Sequence, residues 1–447
     1  GGYVAAIRAA QLKLNVAVIE DKHLGGICLN WGCIPTKALL KNADVLHLIE
    51  NAAAFGIEIK DFSVNWKKVI KRSRDISKRL SKGIEFLLKK NKIKHISGRG
   101  QLKSKSEIII TSSDGKKNII SAKNIIIATG ARPKFFQGVE PNGKRIITSR
   151  EAMIIEEKPK SIVVIGAGAI GIEFAHFYNS FGIEVTIIEA LTQILPTEDK
   201  EVLDELSKIF KKRGIKIFTE TFVKRVEDQG EFVEVKLKTG EKIKADYALV
   251  AVGVQSNIEN LGLEKVGIKI DKGSILVNEY LQTNLKNIHA IGDVAGPPML
   301  AHKASEEGLI AVEKIADKDP SPMIYDNIPS CVYSNPEVAS VGLTEQQALD
   351  SGFKIKVGRF PFRALGKSMA VGETDGFVKV IYDQKYGEML GCHIIGSEAT
   401  NLISEAAIAK KLEKTWHEVL QTIHPHPTLS EGLMEATPDA LGKAIHI

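Results

Sequence analysis

Two stretches of the chain repeat one order of apolar and polar positions. In the second stretch, the apolar run 162–165 predicts a buried strand, a glycine turn leads into a helix, and the strand 184–188 ends in an acid. The turn and the acid consist of Gly166, Gly168, Gly171 and Glu189. A GxGxxG alone would also fit a plain turn. The flanking strands and the acid favour a dinucleotide site, in which backbone N–H groups approach a pyrophosphate and the acid binds ribose.

The start of the chain shows the same order without its first strand. A helical pattern over 3–12 follows Gly2. The next strand, 15–19, ends in Glu20, 18 positions after Gly2, which is the spacing of the second stretch. Gly1 and Gly2 therefore match the end of a glycine turn. A βαβ unit needs a strand before that turn, so we expect the natural chain to begin about ten residues upstream.

Both copies of the repeat return to a similar apolar strand, predicted at 122–130 and at 245–253. From the last glycine of the turn to the end of this strand there are 128 positions in the first copy and 82 in the second, a surplus of 46. The surplus contains Cys28, Cys33 and a long basic segment. One copy thus carries a cysteine pair that the other lacks.

Cys28 and Cys33 fit three kinds of site: a structural disulfide, a metal site or a redox disulfide. Their spacing allows one turn of chain to bring two sulfurs into bonding range. Zinc would need two further ligands, and the only compact histidine pair is His424 with His426, spaced unlike helical or finger-type ligands. No metal is expected. A redox role fits better, because a helix N-terminus stabilises a nearby thiolate.

The rest of the chain carries no further nucleotide signature. A short strand ends in Gly-Asp at 292–293, and a helix is predicted at 301–316. Strands at 377–382 and 389–395 and a helix at 400–412 follow. This pattern indicates an α+β domain suited to an interface.

Composition narrows the class of protein. Of 447 residues, 44% are hydrophobic and 26% charged, as in ordinary globular proteins. No run reaches the roughly 18 apolar residues of a membrane span, and no secretory signal opens the chain. Four cysteines are too few for a secreted disulfide scaffold, so we expect a reducing compartment, where a disulfide is usually catalytic.

The net charge of +7 is modest, but twelve lysines and arginines lie between Lys67 and Lys94. We interpret this segment as the solvated face of a long helix. Its buried side would carry Val69, Ile76, Leu80, Ile84, Leu87 and Leu88. Aromatic residues do not alternate with these cations as base stacking would require, so nucleic-acid binding is not expected.

In the tail, His424 and His426 alternate with prolines, and Glu431 follows. Stiff backbone holds a histidine here, and the glutamate could orient its ring, as a general base requires. The same residues could form a surface turn. A redox disulfide needs a base to activate the attacking thiol, which favours the catalytic interpretation.

Glu189 also bears on the dinucleotide of the second copy. Its carboxylate would repel the 2′-phosphate of NADP. No lysine or arginine lies between Glu189 and Lys200 to bind that phosphate. NAD is therefore the expected ligand.

Taken together, these features resemble the pyridine nucleotide-disulfide oxidoreductases over essentially the whole chain. The most specific matches are 25–40, 166–173, 290–308 and 424–431. The resemblance implies an α/β fold with two Rossmann-like dinucleotide-binding domains, for FAD and NAD, and an α+β dimerisation domain. The implied domains are 1–142 (FAD, without its first strand and part of its glycine loop), 143–265 (NAD), 266–326 (a central segment returning to the FAD domain) and 327–447 (dimerisation).

The resemblance assigns catalytic roles to six residues. Cys28 would exchange with the substrate, and Cys33 would face the flavin. His426 and Glu431 would be the base and its partner, supplied by the second subunit of a homodimer. Lys37 would lie near the flavin N5 and pair with Glu173, although these two could also form a surface ion pair.

It also implies the cofactor residues. For FAD they are Gly1, Gly2, Glu20, Thr129, Gly130, Asp293, Met299, Leu300, Ala301 and His302, and for NAD they are Gly166, Gly168, Gly171, Glu189 and Gly253. Asp293 could instead cap the helix that follows it. One departure is the segment 253–257, Gly-Val-Gln-Ser-Asn, where many relatives carry Gly-Arg-x-Pro-Asn.

The members most similar to this sequence oxidise protein-bound dihydrolipoamide with FAD and reduce NAD⁺ to NADH. The implied partner is a lipoyl domain of a 2-oxo acid dehydrogenase acyltransferase or of a glycine-cleavage carrier protein. The implied compartment is the bacterial cytoplasm or the mitochondrial matrix, with no membrane or nucleic acid as partner. The alternatives are a glutathione-type or mercuric-type reductase using NADPH, and a non-catalytic nucleotide-binding protein.

Overall fold

The computed structural model describes the whole chain, Gly1–Ile447, as two compact units. Unit 1 comprises Gly1–Ala38, Lys67–Lys134 and Gly253–Ile324, and unit 2 comprises Leu39–Trp66, Phe135–Val252 and Tyr325–Ile447. The domain boundaries expected from the sequence stay predictions. None of the helices has the length and apolar character that a membrane crossing requires.

The first copy of the repeat contains four helices and seven strands. They are α1 (Gly2–Gln11), β1 (Ala17–Glu20), α2 (Gly26–Trp31), α3 (Cys33–Glu50), α4 (Trp66–Lys90), β2 (Lys94–Ser97), β3 (Arg99–Leu102), β4 (Glu107–Thr111), β5 (Lys117–Ser121), β6 (Ile125–Ile127) and β7 (Ala131–Pro133). Strand β1 pairs in parallel with β2, and β3, β4 and β5 form an antiparallel sheet. The strand in the predicted range 122–130 is shorter than expected and comprises only β6, Ile125–Ile127.

The predicted basic helix is α4, and its buried side follows the helical period. The buried positions include Ile70, Ser73, Ser77, Ile84 and Leu88. Leu80, which was expected on this side, is 38% exposed, so that prediction is wrong. Leu80 lies at the edge of the buried face, where the period of 3.6 residues turns a side chain towards solvent.

The second copy contains three helices and eight strands. They are β8 (Ile146–Ile147), α5 (Ser149–Ala152), β9 (Ser161–Ile165), α6 (Ala169–Ser180), β10 (Glu184–Ile188), α7 (Lys200–Lys212), β11 (Lys216–Phe218), β12 (Val223–Asp228), β13 (Val233–Leu237), β14 (Lys242–Ala245) and β15 (Tyr247–Val250). A parallel sheet has the order β11-β10-β9-β15-β8. The near-continuous apolar sequence of β9 is typical of such a buried strand. Strands β12, β13 and β14 form an antiparallel sheet like that of the first copy.

The segment 253–324 belongs to unit 1 with the first copy. Its elements are β16 (Val254–Ser256), α8 (Leu263–Val266), β17 (Ile270–Asp271), β18 (Ser274–Ile275), β19 (Ile288–Ala290) and α9 (Ala301–Ile315). Strand β16 pairs antiparallel with β7, and β19 pairs in parallel with β6. The strand predicted at 245–253 is therefore shorter than expected: β15 covers Tyr247–Val250, and β16 begins only after the predicted end. Short 3-10 helices lie at Ala52–Phe55, Gly292–Ala295 and Phe362–Ala364.

The final segment is the predicted α+β domain. Its elements are β20 (Ser330–Val332), β21 (Glu337–Gly342), α10 (Glu345–Asp350), β22 (Ile355–Pro361), α11 (Gly366–Val371), β23 (Phe377–Asp383), β24 (Met389–Gly396), α12 (Ala399–Lys411), α13 (Trp416–Gln421) and α14 (Glu431–Ala440). An antiparallel sheet has the order β20-β21-β24-β23-β22, and α12 and α14 pack on its apolar core. The two predicted strands and the predicted helix are confirmed to within one residue at each end.

A buried lysine joins the second copy to the final segment inside unit 2. The ammonium of Lys379, 1% exposed, lies 2.8 Å from Asp199, 2.8 Å from Glu201 and 2.7 Å from Glu345. Arg359 also bonds Glu201, and this bond is the main cause that lowers the pKa of Glu201 to about 2. The buried ammonium is thus surrounded by carboxylates, as its removal from water requires.

Candidate active site

The two cysteines of the first copy form a disulfide between consecutive helices. Cys28 lies in α2 and Cys33 is the first residue of α3, with Cα atoms 4.6 Å apart. Gly25 and Gly26 precede Cys28 with φ of +89° and +65°, conformations that favour glycine. The single turn predicted from the spacing is confirmed. Cys33 lies at the helix N-terminus, where the backbone dipole stabilises a thiolate.

Asn30 holds the disulfide segment against α4. Its buried amide donates to the carbonyls of Leu24 at 3.0 Å and Gly26 at 2.8 Å. From α4, Ser81 donates to the side-chain oxygen of Asn30 at 2.8 Å, and Arg74 donates to its backbone carbonyl at 2.6 Å. Sequence reasoning missed these contacts, because it expected only apolar residues on the buried side of α4 and counted Arg74 among the solvated cations.

Glu20, the last residue of β1, borders a cavity of about 490 Å³ in unit 1. One carboxylate oxygen accepts hydrogen bonds from the N–H groups of Lys22 at 2.9 Å and His23 at 3.3 Å. The other carboxylate oxygen faces no protein donor and is available to a ribose hydroxyl. The cavity has the volume of a small-molecule site, so the first copy fits the adenosine end of a dinucleotide.

The two glycines at the start of the chain fit a phosphate loop. A Cβ on Gly1 would lie 2.6 Å from the carbonyl oxygen of Ala304, and a Cβ on Gly2 would lie 3.3 Å from the Cβ of Ala128. A side chain at Gly1 would therefore force α1 away from α9. Glycine keeps this backbone close to its neighbours, as a pyrophosphate-binding turn requires.

Asp293 lies in the short 3-10 helix that follows β19. A buried ion pair, Lys303 with Glu307, holds this 3-10 helix in place. Burial raises the pKa of its carboxyl against the opposing charge of Lys303. Lys303 and Glu307 are fully buried and 3.0 Å apart. Lys303 donates to the carbonyls of Gly292 at 3.2 Å and Gly296 at 2.8 Å, and Glu307 accepts from the N–H of Gly292 at 2.7 Å. The pair therefore clamps both ends of the turn.

The predicted FAD residues Met299, Leu300, Ala301 and His302 lie at the start of α9. Leu300 is the N-cap of this helix, with no side-chain capping bond, so the alternative that Asp293 caps it is wrong. Ala301 and His302 are exposed. The N-terminus of α9 is thus open to a negatively charged or polar group.

Thr129 and Gly130 are held by Asn257. The Thr129 hydroxyl donates to the Asn257 carbonyl at 2.8 Å, and the Asn257 amide donates to the Thr129 carbonyl at 2.9 Å. The N–H of Asn257 donates to the carbonyl of Gly130 at 2.9 Å. Arg132 bonds the side chain of Asn257 at 3.1 Å and pairs with Glu259. The segment 253–257, which lacks the arginine of many relatives, receives an arginine contact from β7.

The glycine turn of the second copy needs its glycines. Gly166 has φ of +99°, and its Cβ would lie 2.5 Å from the carbonyl oxygen of Ala251. A Cβ on Gly171 would lie 2.0 Å from the carbonyl oxygen of Gly166. Gly168, the N-cap of α6, faces open space, which leaves room for a phosphate.

Glu189, which follows β10, connects the end of that strand to the glycine turn through hydrogen bonds. It is buried, and its carboxylate accepts from the N–H of Ala167 at 2.7 Å and of Leu191 at 2.9 Å. Each carboxylate oxygen keeps a lone pair for a ribose hydroxyl, so these residues fit NAD. Gly253, with φ of +101°, belongs to unit 1 and accepts from the N–H of Lys134 at 3.0 Å.

His426 and Glu431 form a pair at the N-terminus of α14. The Nδ1 of His426 lies 2.8 Å from Glu431, and its side chain is 77% exposed. Burial disfavours the charged form of Glu431, but hydrogen bonds from the Thr428 N–H and from His426 outweigh it, so its pKa lies below the ordinary value. The carboxylate thus stays ionised and fixes the ring with Nε2 facing solvent.

His424 has the opposite environment. Its side chain is 4% exposed, with Nε2 2.6 Å from Glu405 and Nδ1 3.0 Å from the carbonyl of Thr422. Both nitrogens are engaged, so His424 is a structural residue of unit 2. Of the two histidines, only His426 can reach a molecule outside its own subunit.

Lys37 and Glu173 belong to different units. Lys37 lies in the first turns of α3 in unit 1, and Glu173 lies in α6 in unit 2. Glu173 is 5% exposed and accepts from the N–H of Tyr333 at 3.1 Å. A surface ion pair does not fit such a buried glutamate. Its pairing with Lys37 stays a prediction.

Comparisons with known proteins agree with this geometry. The family model for pyridine nucleotide-disulphide oxidoreductases matches residues 1–308, and the model for the dimerisation domain of that family matches residues 328–437. A dihydrolipoyl dehydrogenase of Zymomonas mobilis is 49% identical over 451 residues, covering 100% of this chain and 97% of that protein. One of Bacillus subtilis is 46% identical over 462 residues, with the same coverage.

Solved structures resemble the fold over nearly its full length. LpdA from Mycobacterium tuberculosis superposes with a TM-score of 0.92 at 27% identity, covering 98% of this chain and 96% of that one. The HOCl-induced flavoprotein disulfide reductase RclA from Escherichia coli superposes with a TM-score of 0.86 at 26% identity, covering 97% and 96%.

Proposed function

Because the chain belongs to the pyridine nucleotide-disulphide oxidoreductases, we propose that it oxidises protein-bound dihydrolipoamide to lipoamide and reduces NAD⁺ to NADH. The observation that carries the proposal is the Cys28–Cys33 disulfide, placed in one of two dinucleotide-binding copies. Full-length relatives named dihydrolipoyl dehydrogenase support this substrate over other disulfides.

The disulfide performs the exchange with the substrate. A thiolate of dihydrolipoamide attacks the sulfur of Cys28, the Cys28–Cys33 bond breaks, and Cys33 leaves as a thiolate stabilised by the N-terminus of α3. The second substrate thiol then attacks the lipoyl sulfur of the mixed disulfide. This step closes the lipoamide ring and releases Cys28 with the electron pair held by the two protein sulfurs.

The proton chemistry belongs to His426. Its exposed Nε2 accepts the proton of the attacking thiol, and Glu431 on Nδ1 stabilises the imidazolium that forms. The dimerisation domain of the family supports a homodimer. His426 of the partner subunit would complete each active site, because this histidine faces outward from its own subunit.

The cofactor sites follow the two copies. FAD would be held by the first copy and the segment that returns to it, and Lys37 and Glu173 would lie beside its ring. The residues that would hold FAD are Gly1, Gly2, Glu20, Thr129, Gly130, Asp293, Met299, Leu300, Ala301 and His302. A bound flavin would supply the redox chemistry that links the electron pair of the protein thiolates to the reduction of NAD⁺. NAD would be held by Gly166, Gly168, Gly171, Glu189 and Gly253. The carboxylate of Glu189 would disfavour the 2′-phosphate of NADP.

We place the protein in the bacterial cytoplasm, or in the mitochondrial matrix of a eukaryote, where lipoyl domains of 2-oxo acid dehydrogenases or of glycine cleavage would be its partners. The bacterial relatives support the first compartment.

The nucleotide preference can also be predicted. The carboxylate of Glu189 would lie against the 2′-phosphate of NADP⁺, and contact between like charges costs several kcal/mol. NAD⁺ should therefore be preferred to NADP⁺ by about a hundredfold in kcat/KM.

Steady-state kinetics test the proposal. With dihydrolipoamide and NAD⁺ varied together, double-reciprocal plots should be parallel, because the protein is reduced and reoxidised in separate half-reactions. Intersecting lines, or a preference for NADPH with glutathione disulfide as substrate, would instead support a glutathione-type reductase. A purified protein without flavin colour would support the non-catalytic alternative.

A further inference from the structure

The basic charge of the protein is concentrated in one segment. Twelve cationic and two acidic side chains lie between Lys67 and Lys94, so this segment has a net charge of +10. The whole chain has a net charge of +7, and the remaining residues therefore sum to −3. The positive charge marks one surface and is not a general property of the protein.

Part of this charge lines one face of α4. A groove of about 510 Å³ is bordered by six residues, Lys68, Lys71, Arg72, Asp75, Ile76 and Arg79. Their spacing of three and four positions places them on one side of the helix. We call these six residues the basic stripe. Its one acid, Asp75, already pairs with Lys71, so the stripe keeps three cations in excess.

The helix that carries the basic stripe packs against both cysteine-bearing helices. Arg72 donates to the carbonyl of Ala38 at 2.9 Å, in the helix that begins at Cys33. Arg74 and Ser81 bind Asn30, which lies between the two cysteines. Arg72 is thus the stripe residue that directly contacts a cysteine-bearing helix, and the other side of α4 holds the segment between the two cysteines. The stripe is therefore part of the element that supports the disulfide.

We propose that the basic stripe docks an acidic face of the lipoyl-bearing domain that delivers dihydrolipoamide to Cys28. The inference rests on the proposed function and adds the chemistry by which the partner is recognised. A free lipoamide is uncharged and gains nothing from the stripe. A folded domain that must present one dithiol to one sulfur gains from electrostatic steering, because steering raises the rate of productive encounter.

Other occupants fit the stripe less well. A second copy of this chain placed symmetrically would bring the same cations together and be repelled. Nucleic acid would need several exposed aromatic side chains between the cations. The stripe has none, and Phe86 is the one exposed aromatic residue of α4, because Trp66 is buried and donates to the carbonyl of Ile155. A membrane surface would need apolar anchors, and Ile76 is the only apolar residue of the stripe.

Charge reversal of two exposed stripe residues, Lys71→Glu with Arg79→Glu, tests the inference. The probes are an isolated dihydrolipoyl domain of net negative charge and free dihydrolipoamide, each assayed with NAD⁺ at low and at high ionic strength. We expect kcat/KM for the domain to fall about tenfold at low salt, and its salt dependence to weaken. The value for free dihydrolipoamide should change less than twofold, which also shows that the variant is folded.

A matched control reverses two exposed lysines elsewhere on unit 1, Lys105→Glu with Lys123→Glu. It changes the net charge by the same amount and should leave both substrates unaffected. A lipoyl domain whose acidic residues are replaced by lysine should recover activity with the stripe variant. That recovery would show that the two faces meet.

Several outcomes would overturn the inference. They are an unchanged kcat/KM for the lipoyl domain, an equal loss with free dihydrolipoamide, an equal loss in the control variant, and a dimer that dissociates when the stripe is reversed. The last would assign the stripe to the contact between subunits. If the wild-type protein does not turn over free dihydrolipoamide at all, the proposed function fails, and that result is distinct from any effect of the stripe.

Discussion

His424 and His426 show how the environment of a single residue decides its chemistry. They share a proline-rich segment, yet the side chain of one is 4% exposed and that of the other 77%. The local sequence could not separate them, because Glu405, which binds His424, comes from α12, about twenty positions away in the chain. Glu431, the partner of His426, is close in sequence and was predictable for that reason.

Replacing His426 by Gln should lower kcat with dihydrolipoamide by about 10² or more, because the thiol proton loses its acceptor. The flavin content and the dimer should be unchanged, since the side chain is exposed. Stopped-flow measurement of the first half-reaction would locate the loss in the thiol exchange, while oxidation of NADH by an artificial electron acceptor should stay near the wild-type rate.

His424→Gln is the matched change. It removes a buried contact to Glu405 and should reduce the free energy of unfolding by about 1–3 kcal/mol, while kcat falls less than in the His426 variant. A larger loss of kcat in His424→Gln than in His426→Gln would reverse the two assignments.

Among the elements, the turn that carries Asp293 depends on a buried ion pair that cannot be recognised from the sequence around it. Lys303 and Glu307 lie on α9, four positions apart, and a pair with this spacing is usually found on a solvated helix face. In the structure both are buried, and they bind Gly292 and Gly296 at the two ends of the turn. Only the packing of α9 against its neighbours within unit 1 determines that this pair points inward.

Lys303→Met should leave Glu307 as a buried charge without its ion-pair partner and reduce the free energy of unfolding by about 3–5 kcal/mol. Because the turn holds Asp293, the purified variant should also retain less FAD. Absorbance of the bound flavin and denaturant unfolding measure the two effects.

The double variant Lys303→Met with Glu307→Leu separates charge from packing. Replacing both partners by apolar residues is often neutral, so stability should recover towards the wild-type value. FAD retention should recover less, since no group then binds the carbonyl of Gly296. Full recovery of FAD retention would show that the pair does not position the turn.

Elements with a strong apolar period were the most predictable. The two strands of the final domain were located to within one residue, and the basic segment 67–94 contains most of helix α4, which ends at Lys90, because burial of one face dictates the period of these elements. The sequence-based predictions were wrong or incomplete where tertiary packing decides the burial or the contacts of a residue. Leu80 is exposed at the edge of the buried face, and Asn30 holds the disulfide segment through contacts that come from α4.

For the whole molecule, the internal repeat was the most informative feature of the sequence. Two copies of one pattern predicted two nucleotide-binding domains, and the family of the chain confirms them. The repeat also showed that the disulfide belongs to only one copy, while the roles of its two cysteines came from the resemblance to the family. What the pattern could not supply is the arrangement between subunits, because the groups that meet there are distant in sequence and carry no common period.

A mixed dimer tests the shared active site. A subunit with Cys28→Ser and a subunit with His426→Gln, co-expressed with different affinity tags, yield a heterodimer that can be isolated. If each site takes its histidine from the other subunit, one site per heterodimer is intact, and activity should be about half of wild type. If both residues act within one subunit, both sites are defective and the heterodimer should be nearly inactive.

The most direct test of the central claim is the visible absorbance of the flavin during anaerobic titration with dihydrolipoamide. The account predicts a long-wavelength charge-transfer band from the Cys33 thiolate beside the ring before the flavin itself is bleached. Cys28→Ser should show the band without substrate, and Cys33→Ser should never show it. Direct bleaching without the band in the wild-type protein, or identical spectra for the two cysteine variants, would contradict a redox disulfide with these two roles.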